Sequence, residues 1–324
     1  MRFLLLLLLW LAAGDAKKYR RKPGAEERAP QDVGGWRPAS SGLLAGMPPE
    51  LDLHWRDGVL RGRCEFDEFS GKAKGALASR FRKSLKPKRA PSVVTAFADG
   101  WEMHTSWRRE QLLERHGDVQ VADSMPTKIA AFGPNNRRNR TLREYVSQYM
   151  SGPEVDFRGD GAADADCGDM SDPVPTVFDR SAENLAYSAR DEWPFPGPNG
   201  LVGAKIEEPL ASLGPSGAGV SLHIHGASWL ALAHGSKLWL VYPPEGPPTE
   251  NAYKQLRLRS VAAWFEPSAA LGGVSPWSKL EPNERPMVCV QGAGELVVIP
   301  KLWWHATLNR ECSSNGLPTH LCGA

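Results

Sequence analysis

Two histidine-containing segments constrain the fold of this 324-residue chain more than any other feature. The first, Gly217-Ala-Gly-Val-Ser-Leu-His223-Ile-His225, carries two histidines two positions apart. Residues i and i+2 of a β-strand project from the same face, so the spacing predicts that both imidazoles point the same way. The second segment is Gly294-Glu-Leu-Val-Val-Ile-Pro300-Lys-Leu-Trp-Trp-His305-Ala-Thr-Leu-Asn309. Its β-branched run predicts a strand, Pro300 predicts a short turn, and Trp-Trp-His predicts a further strand.

These segments predict a metal site. If their strands are neighbours inside a barrel, imidazole nitrogens of His223, His225 and His305 converge, and three such nitrogens suit a divalent transition metal. The alternative is that each histidine is a core residue hydrogen-bonded to the backbone. Two histidines on one strand face, flanked by glycine, with a third after a proline turn are less easily explained that way. Because metal–nitrogen bonds are about 2 Å long, we expect His223 and His305 to lie within about 10 Å of each other.

Both segments resemble the two sequence motifs of the cupin superfamily. The first follows the pattern Gly, five residues, His-x-His, and the second the pattern Gly, five residues, Pro, then His and Asn. The second departs from the pattern at Leu302, where glycine is usual, and the first has Trp229 and Leu230 where a glutamate is usual. The stretch Gly235-Ser-Lys-Leu-Trp-Leu-Val-Tyr-Pro-Pro244, followed by Trp-Trp-His305, is similar to jumonji C (JmjC) domains within that superfamily.

The resemblance implies a mainly β fold with flanking helices, a cupin/JmjC double-stranded β-helix (jelly-roll) barrel, over residues 61–324. Residues 91–97 predict the first buried strand, and residues 107–116 a helix that ends at Gly117. Thr141 and Glu144 form a capping box, and the apolar residues behind it, at i, i+3, i+4 and i+7, predict an amphipathic helix.

Four other stretches carry more local predictions. Residues 151–200, with acidic residues among Gly, Ala and Pro, are predicted to form an acidic surface insertion, and residues 212–215 a turn. Residues 245–285 are predicted to be a Pro-rich connection with a short helix near residues 260–265. JmjC domains normally continue after the last histidine with a further strand, which residues 310–324 do not provide. Either the barrel closes differently or the C-terminus has been lost or misread, so this C-terminus is atypical.

The N-terminal residues predict entry into the secretory pathway. Residues 1–16 have a positive charge at Arg2, an apolar run and small residues suited to cleavage, which is typical of a signal peptide; an uncleaved signal anchor is the alternative. Residues 17–60 predict a flexible basic, Pro/Gly-rich arm. We expect the endoplasmic reticulum lumen or secretion, with no membrane span after cleavage. There Asn139-Arg-Thr141 becomes a glycosylation acceptor, and the five cysteines can form disulfides whose pairing the sequence leaves open.

The charge of the chain does not predict nucleic-acid binding. Its formal net charge is +2, which implies no particular partner. The basic cluster at residues 72–89 could be a nuclear localisation signal or a nucleic-acid-binding patch. The predicted signal peptide argues against a nuclear destination, so we expect these residues to form a solvated loop or helix face. We expect a protein partner or protein substrate in the secretory pathway and no nucleic acid.

The resemblance also implies a chemistry. JmjC oxygenases bind Fe(II) through two histidines and a carboxylate and use 2-oxoglutarate; this places His223 and His305 in the histidine positions and His225 in the carboxylate's place. Three-histidine sites also bind Zn(II), which is the alternative metal. Lys237 matches the lysine that binds 2-oxoglutarate in many JmjC enzymes. The alternative is that it is an ordinary lysine at the end of a strand. Two functions remain open: a luminal Fe(II)/2-oxoglutarate-dependent protein hydroxylase, or a JmjC-fold binding protein without oxygenase turnover.

Overall fold

The fold is dominated by β-strands, in agreement with the prediction. The computed structural model of the chain describes residues 47–48, 51, 54–56, 59–61, 63–70, 90–98, 101–124, 138–150, 176–179, 211–215, 217–257 and 260–309. The strands within these residues are β1 (His54–Arg56), β2 (Val59–Arg61), β3 (Asp67–Ser70), β4 (Ser92–Thr95), β5 (Gln120–Ser124), β6 (Arg138–Thr141), β7 (Thr176–Asp179), β8 (Ala211–Leu213), β9 (Gly219–His223), β10 (Ser228–Ala231), β11 (Ser236–Tyr242), β12 (Met287–Gly292), β13 (Leu296–Ile299) and β14 (Trp304–Asn309).

The helices are few and short. They are α1 (Met103–Ser106), α2 (Arg109–His116), α3 (Leu142–Tyr149) and α4 (Glu250–Arg257), with 3-10 turns at Ala262–Trp264, Ala269–Leu271, Trp277–Lys279 and Pro282–Glu284. Within the described ranges, no helix combines the length and the apolar character needed to cross a membrane.

One four-stranded sheet, here called the histidine sheet, has the strand order β12-β11-β14-β9, and all of its pairs are antiparallel. Lys237, Trp239 and Val241 alternate along β11 and therefore share one face of the sheet. Val241 is the ladder partner of His305 on β14, and His305 is in turn paired with His223 on β9. The pairing thus places the first and last histidines of the predicted site side by side.

A second four-stranded sheet, β10-β13-β4-β3, packs on the face that carries these residues. Its pairs are antiparallel except for β3 and β4, which are parallel. The core between the sheets consists of buried residues from both: Phe66, Val93, Trp239, Val241, Cys289, Val297, Ile299 and Trp303. This arrangement confirms the cupin-like jelly-roll architecture, with the described strands forming a β-sandwich rather than a closed barrel.

The chain crosses from one sheet to the other at residues 63–70. The Glu65 amide donates to the Val288 carbonyl over 2.8 Å, and the Val290 amide donates to the Arg63 carbonyl over 2.9 Å. The next residues form β3 and pair with β4 instead. At this corner a disulfide joins Cys64 to Cys289, a pairing that the sequence had left open.

The outer face of the histidine sheet packs on α4 and the 3-10 turns. The sequence predicted only a short helix near residues 260–265 in this connection, where the structure has the Ala262–Trp264 turn. Helix α4 was missed. Ala252 and Leu256, four residues apart on α4, are fully buried, and the Ala252 amide donates to the Thr249 hydroxyl over 3.1 Å. Two buried positions on a helix of eight residues give too weak a periodicity to identify it.

A third sheet, β6-β5-β7-β8, is covered by α3 and has its own core. The predicted capping box is confirmed: the Glu144 amide donates to the Thr141 hydroxyl over 3.2 Å, and the Glu144 carboxylate accepts from the Thr141 amide over 2.7 Å. The buried Tyr145 hydroxyl donates to the Leu213 carbonyl over 3.3 Å and so ties the helix to β8.

Two local predictions need correction. Strand β7 lies within residues 151–200, which were predicted to be a surface insertion, and it pairs with both β5 and β8. Ser212 and Leu213, predicted to begin a turn, belong to β8, and Leu213 is buried. The other residues of 151–200, the predicted signal peptide (1–16), most of the predicted 17–60 arm and the atypical C-terminus (310–324) lie outside the described residues.

Candidate metal centre

Three histidines converge between the two sheets, as the sequence predicted. One side-chain nitrogen from each of His223, His225 and His305 lies within 4.8 Å of the other two. The ring centroids of His223 and His305 are 4.2 Å apart, those of His225 and His305 4.6 Å, and those of His223 and His225 5.2 Å. The expected proximity of His223 and His305 is confirmed.

The backbone fixes the tautomer of each ring. Nδ1 of His223 lies 2.8 Å from the Ser221 carbonyl, Nδ1 of His225 2.7 Å from the Gly226 carbonyl, and Nδ1 of His305 3.0 Å from the Trp303 carbonyl. A carbonyl oxygen can only accept, so each Nδ1 carries the proton and donates it. In the neutral rings the lone pairs are therefore on the three Nε2 atoms.

Two of these lone pairs face each other at short range. Nε2 of His305 lies 3.1 Å from Nε2 of His225, and lone pairs at that distance repel unless a proton or a metal cation lies between the atoms. Burial lowers the pKa of His305 well below its ordinary value, and the neighbouring His223 and His225 lower it further, against an opposing effect of the hydrogen bond to Trp303. Since a proton is disfavoured, the donor set fits a metal cation.

His225 reaches the cluster in a different way from that predicted. Strand β9 ends at His223, so His225 lies just beyond the strand rather than on it. The turn after β13 holds it: the Leu302 amide donates to the His225 carbonyl over 3.1 Å, and the Trp303 amide closes the turn by donating to the Pro300 carbonyl over 3.3 Å. Backbone hydrogen bonds therefore connect the two motifs directly beside the three histidines.

The motif glycines occupy positions with positive φ. The angle is +83° at Gly217, +79° at Gly235 and +81° at Gly294. Leu302, at the remaining motif position where glycine is usual, also has a positive φ, of 69°. A left-handed conformation costs a residue with a Cβ about 1–2 kcal/mol, so the fold imposes on Leu302 a strain that glycine would avoid.

Lys237, the residue predicted to bind 2-oxoglutarate, is deeply buried. Its side chain, on the inner face of β11, is 5% exposed, and Nζ donates to Oδ1 of Asn309 over 2.5 Å. Asn309 in turn donates through Nδ2 to the Gly214 carbonyl over 2.8 Å. Within the described residues no carboxylate pairs with Lys237, and burial lowers its pKa from 10.5 to about 8. An ammonium group has three donors, so this one is suited to an anionic ligand.

Two further residues support the site, and the sequence analysis did not identify them. The Trp239 ring lies 6.2 Å from the His305 ring, and its indole nitrogen donates to Oε1 of Gln291 over 2.9 Å. Gln291 is fully buried and donates through Nε2 to the carbonyls of Leu230 and Glu295, over 2.9 Å in each case. Strict alternation along β11 and β12 could have indicated both as inward-facing residues.

Comparisons with known proteins agree with this geometry. A family model described as a cupin-like domain matches residues 78–314. Together with the relatives below, this match shows that the chain belongs to the cupin-like JmjC family. It is 36% identical to human JmjC domain-containing protein 8 over 310 residues, which cover 95% of each chain.

More distant relatives bear names that specify activities. The chain is 22% identical to the bifunctional arginine demethylase and lysyl-hydroxylase psr-1 of Caenorhabditis elegans, over 91% of this chain and 68% of that protein. It is 23% identical to the 2-oxoglutarate and iron-dependent oxygenase JMJD4 of Gallus gallus, over 71% of this chain and 54% of that protein. The family therefore includes iron- and 2-oxoglutarate-dependent enzymes, and none of these names specifies zinc.

Replacing His305 by alanine should remove metal binding. Loss of a partner outside the ligand shell alone costs about 10–100-fold in affinity, so loss of a ligand should cost more than about 100-fold. Equilibrium dialysis of the purified chain against Co(II) measures this affinity. The matched control is His116→Gln, since His116 is also buried, at 8% exposure, but lies on α2 outside the cluster. Equal Co(II) affinity in wild type and His305→Ala would contradict the proposed ligand set.

Lys237 should make the free energy of unfolding rise with pH above 8. Its folded-state pKa, about 8, lies below the ordinary lysine value of 10.5, so between these pH values the unfolded state binds more protons than the folded state. The full rise is on the order of 3 kcal/mol. Urea titrations from pH 7.5 to 10 should show this rise in wild type and in Lys301→Met, which alters an exposed lysine. Lys237→Met should lack it, and an unchanged slope in that variant would refute the assignment.

Proposed function

We propose that this chain is a luminal Fe(II)- and 2-oxoglutarate-dependent oxygenase that hydroxylates protein side chains. The observation that carries the proposal is the convergence of three histidine nitrogens, in rings whose Nδ1 atoms are each hydrogen-bonded to a backbone carbonyl, on the inner face that also holds the buried Lys237. Relatives whose names specify iron, 2-oxoglutarate and lysyl hydroxylation support the choice of metal, co-substrate and substrate class.

In the proposed function, the neutral histidines and the cationic lysine bind different groups. His223, His225 and His305 would hold the metal, whose chemistry with 2-oxoglutarate and oxygen is the oxidation of a C–H bond. Lys237 would bind the carboxylate of 2-oxoglutarate farthest from the metal, with Asn309 keeping the ammonium in place through one of its three donors. A bound carboxylate also offsets the cost of burying the ammonium, which the neutral Asn309 oxygen does only in part.

A second function, that of a JmjC-fold binding protein without oxygenase turnover, is favoured by one observation. His225 stands where the family resemblance places a carboxylate, so the protein ligands leave the charge of a divalent metal at +2 instead of reducing it to +1. This difference alters the redox potential of iron and the geometry of its open positions. We rank this function second because Lys237, which is buried without an acidic partner among the described residues, has no evident purpose in a site that binds no co-substrate.

The proposed location is the lumen of the secretory pathway. The apolar segment at residues 1–16 and the Cys64–Cys289 disulfide support it, because disulfides persist in oxidising compartments. The proposed partner is therefore a protein of that pathway and not a nucleic acid. Asn139 lies on β6, an edge strand of its sheet, and we propose that it is glycosylated there.

Wild type incubated in air with Fe(II), 2-oxoglutarate and ascorbate, which supplies the two electrons that a protein substrate would otherwise give to oxygen, should form succinate and CO2, and both His305→Ala and Lys237→Met should abolish this reaction. His225→Asp separates the two functions. Succinate formation by wild type that is lost in His225→Asp would show that the three-histidine site is active as such. Succinate formation by His225→Asp alone would identify a binding protein that one ligand change converts into an enzyme. Metal-loaded protein with no succinate in either form would overturn the hydroxylase proposal.

Glycosylation tests the location separately. The full chain expressed in mammalian cells should gain mass that an endoglycosidase removes, and Asn139→Gln should lack that mass. Asn136→Gln, three residues away and outside the acceptor triplet, should behave as wild type. A wild-type chain whose electrophoretic mobility is the same before and after endoglycosidase treatment would argue against glycosylation at Asn139.

A further inference from the structure

Leu302 combines two properties that its role in the fold does not explain. It is one of two residues other than glycine with positive φ in the described part of the chain. It is also one of two large hydrophobic residues that are clearly exposed there, with 45% of its surface accessible. An exposed leucine gains little from burial, so nothing offsets the strain of its left-handed backbone. The leucine side chain therefore does not stabilise the fold.

Leu302 lies beside His225, the most exposed of the three histidines. His305 and His223 are 3% and 9% exposed, whereas His225 is partly exposed and is followed by the exposed Gly226 and Ala227. The Leu302 amide is bonded to the His225 carbonyl, which fixes the leucine at this rim. A ligand that approaches His225 from solvent therefore lies close to Leu302.

The rim is shaped for a polypeptide backbone. A Cβ placed on Gly226 would meet nothing within 4 Å, so the space above this residue is open. Ala227 adds only a methyl group. Within the described residues, the backbone N–H groups of Gly226 and Ala227 have no hydrogen-bond partner, and they could donate to the carbonyl oxygens of an extended chain.

We propose that Leu302 determines substrate specificity: it contacts an apolar side chain of an extended polypeptide whose backbone lies along Gly226 and Ala227, beside the residue that enters the metal centre. The proposal deepens the proposed function, on which it rests, by defining the substrate as a polypeptide with an apolar residue next to the modified one. Contact with such a side chain gives the exposed, strained leucine the burial that the fold itself does not provide.

The test uses Leu302→Gly, which removes the side chain and relieves the strain at once. The probes are fluorescent dodecapeptide pools with one position fixed as leucine or serine, and Zn(II) is loaded in place of iron to prevent turnover. Wild type should bind the leucine pool about tenfold more tightly than the serine pool at one fixed position. In Leu302→Gly the two affinities should become equal, while the urea midpoint of the variant should rise. In Leu302→Gly the stability to urea should therefore increase while the preference for the leucine pool is lost. A residue with only a structural role would not produce this combination.

Two further variants serve as controls. Lys301→Gly, at the exposed neighbouring position, should keep the leucine preference. Leu302→Asn, whose residue tolerates the left-handed conformation, should lose the preference while keeping a side chain at the rim. Absence of a leucine preference in wild type, or its persistence in Leu302→Gly, overturns the proposal. This test measures binding and not turnover. A leucine preference that depends on Leu302 would therefore support this inference even if the chain never forms succinate. Succinate formation without a leucine preference would refute this inference and leave the proposed hydroxylase function intact.

Discussion

The antiparallel pairing of β9 with β14 is the interaction on which the site depends, because it places His223 directly opposite His305. The pairing is irregular, with a shift in register between His305 and Thr307. Close approach of the two strands requires a residue without a side chain at Gly219, where a Cβ would lie 1.9 Å from the Thr307 carbonyl oxygen. The Thr307 hydroxyl compensates for the irregular ladder by accepting from the Val220 amide over 3.2 Å. The ligands are thus positioned by backbone geometry before any metal contributes.

The third ligand is held by different means, and this explains why the two motifs occur together. His225 has left the β9 ladder, so the turn between β13 and β14 supplies the hydrogen bond that the strand no longer provides. That turn needs a left-handed residue at position 302, which is the physical reason for a glycine in the motif. The leucine at this position shows that the fold tolerates backbone strain there. The turn requires only the left-handed backbone, whereas the leucine side chain contributes to the exposed surface.

The sequence predicted the parts of this structure that short-range patterns encode. Thr141 and Glu144 identify the start of α3 because a capping box is a local arrangement, and the two motifs predicted that His223, His225 and His305 converge if their strands are neighbours. The partner of Cys64 depends on a chain crossing more than two hundred residues away in sequence, which no local pattern reveals. Strand β7 was missed because Thr176–Asp179 is too short for alternation to show against its acidic surroundings. The strand-end position of His225 could not be predicted because a period of two does not show where a strand ends.

Charge connects the metal centre to Lys237. Three neutral imidazoles would bind a divalent cation without reducing its charge, and the same inner face carries an ammonium group buried without a carboxylate among the described residues. Each of these positive charges makes the other more costly to bury, since repulsion is weakly screened between the sheets. In the proposed function, 2-oxoglutarate bears two negative charges and relieves both costs when one carboxylate lies near the metal and the other near Lys237. Metal and co-substrate then increase each other's affinity by the same factor, because coupling between two binding sites is reciprocal. A site with a carboxylate in the place of His225 has less charge to neutralise and therefore a weaker coupling, so replacing the carboxylate by His225 makes metal retention depend more strongly on the co-substrate.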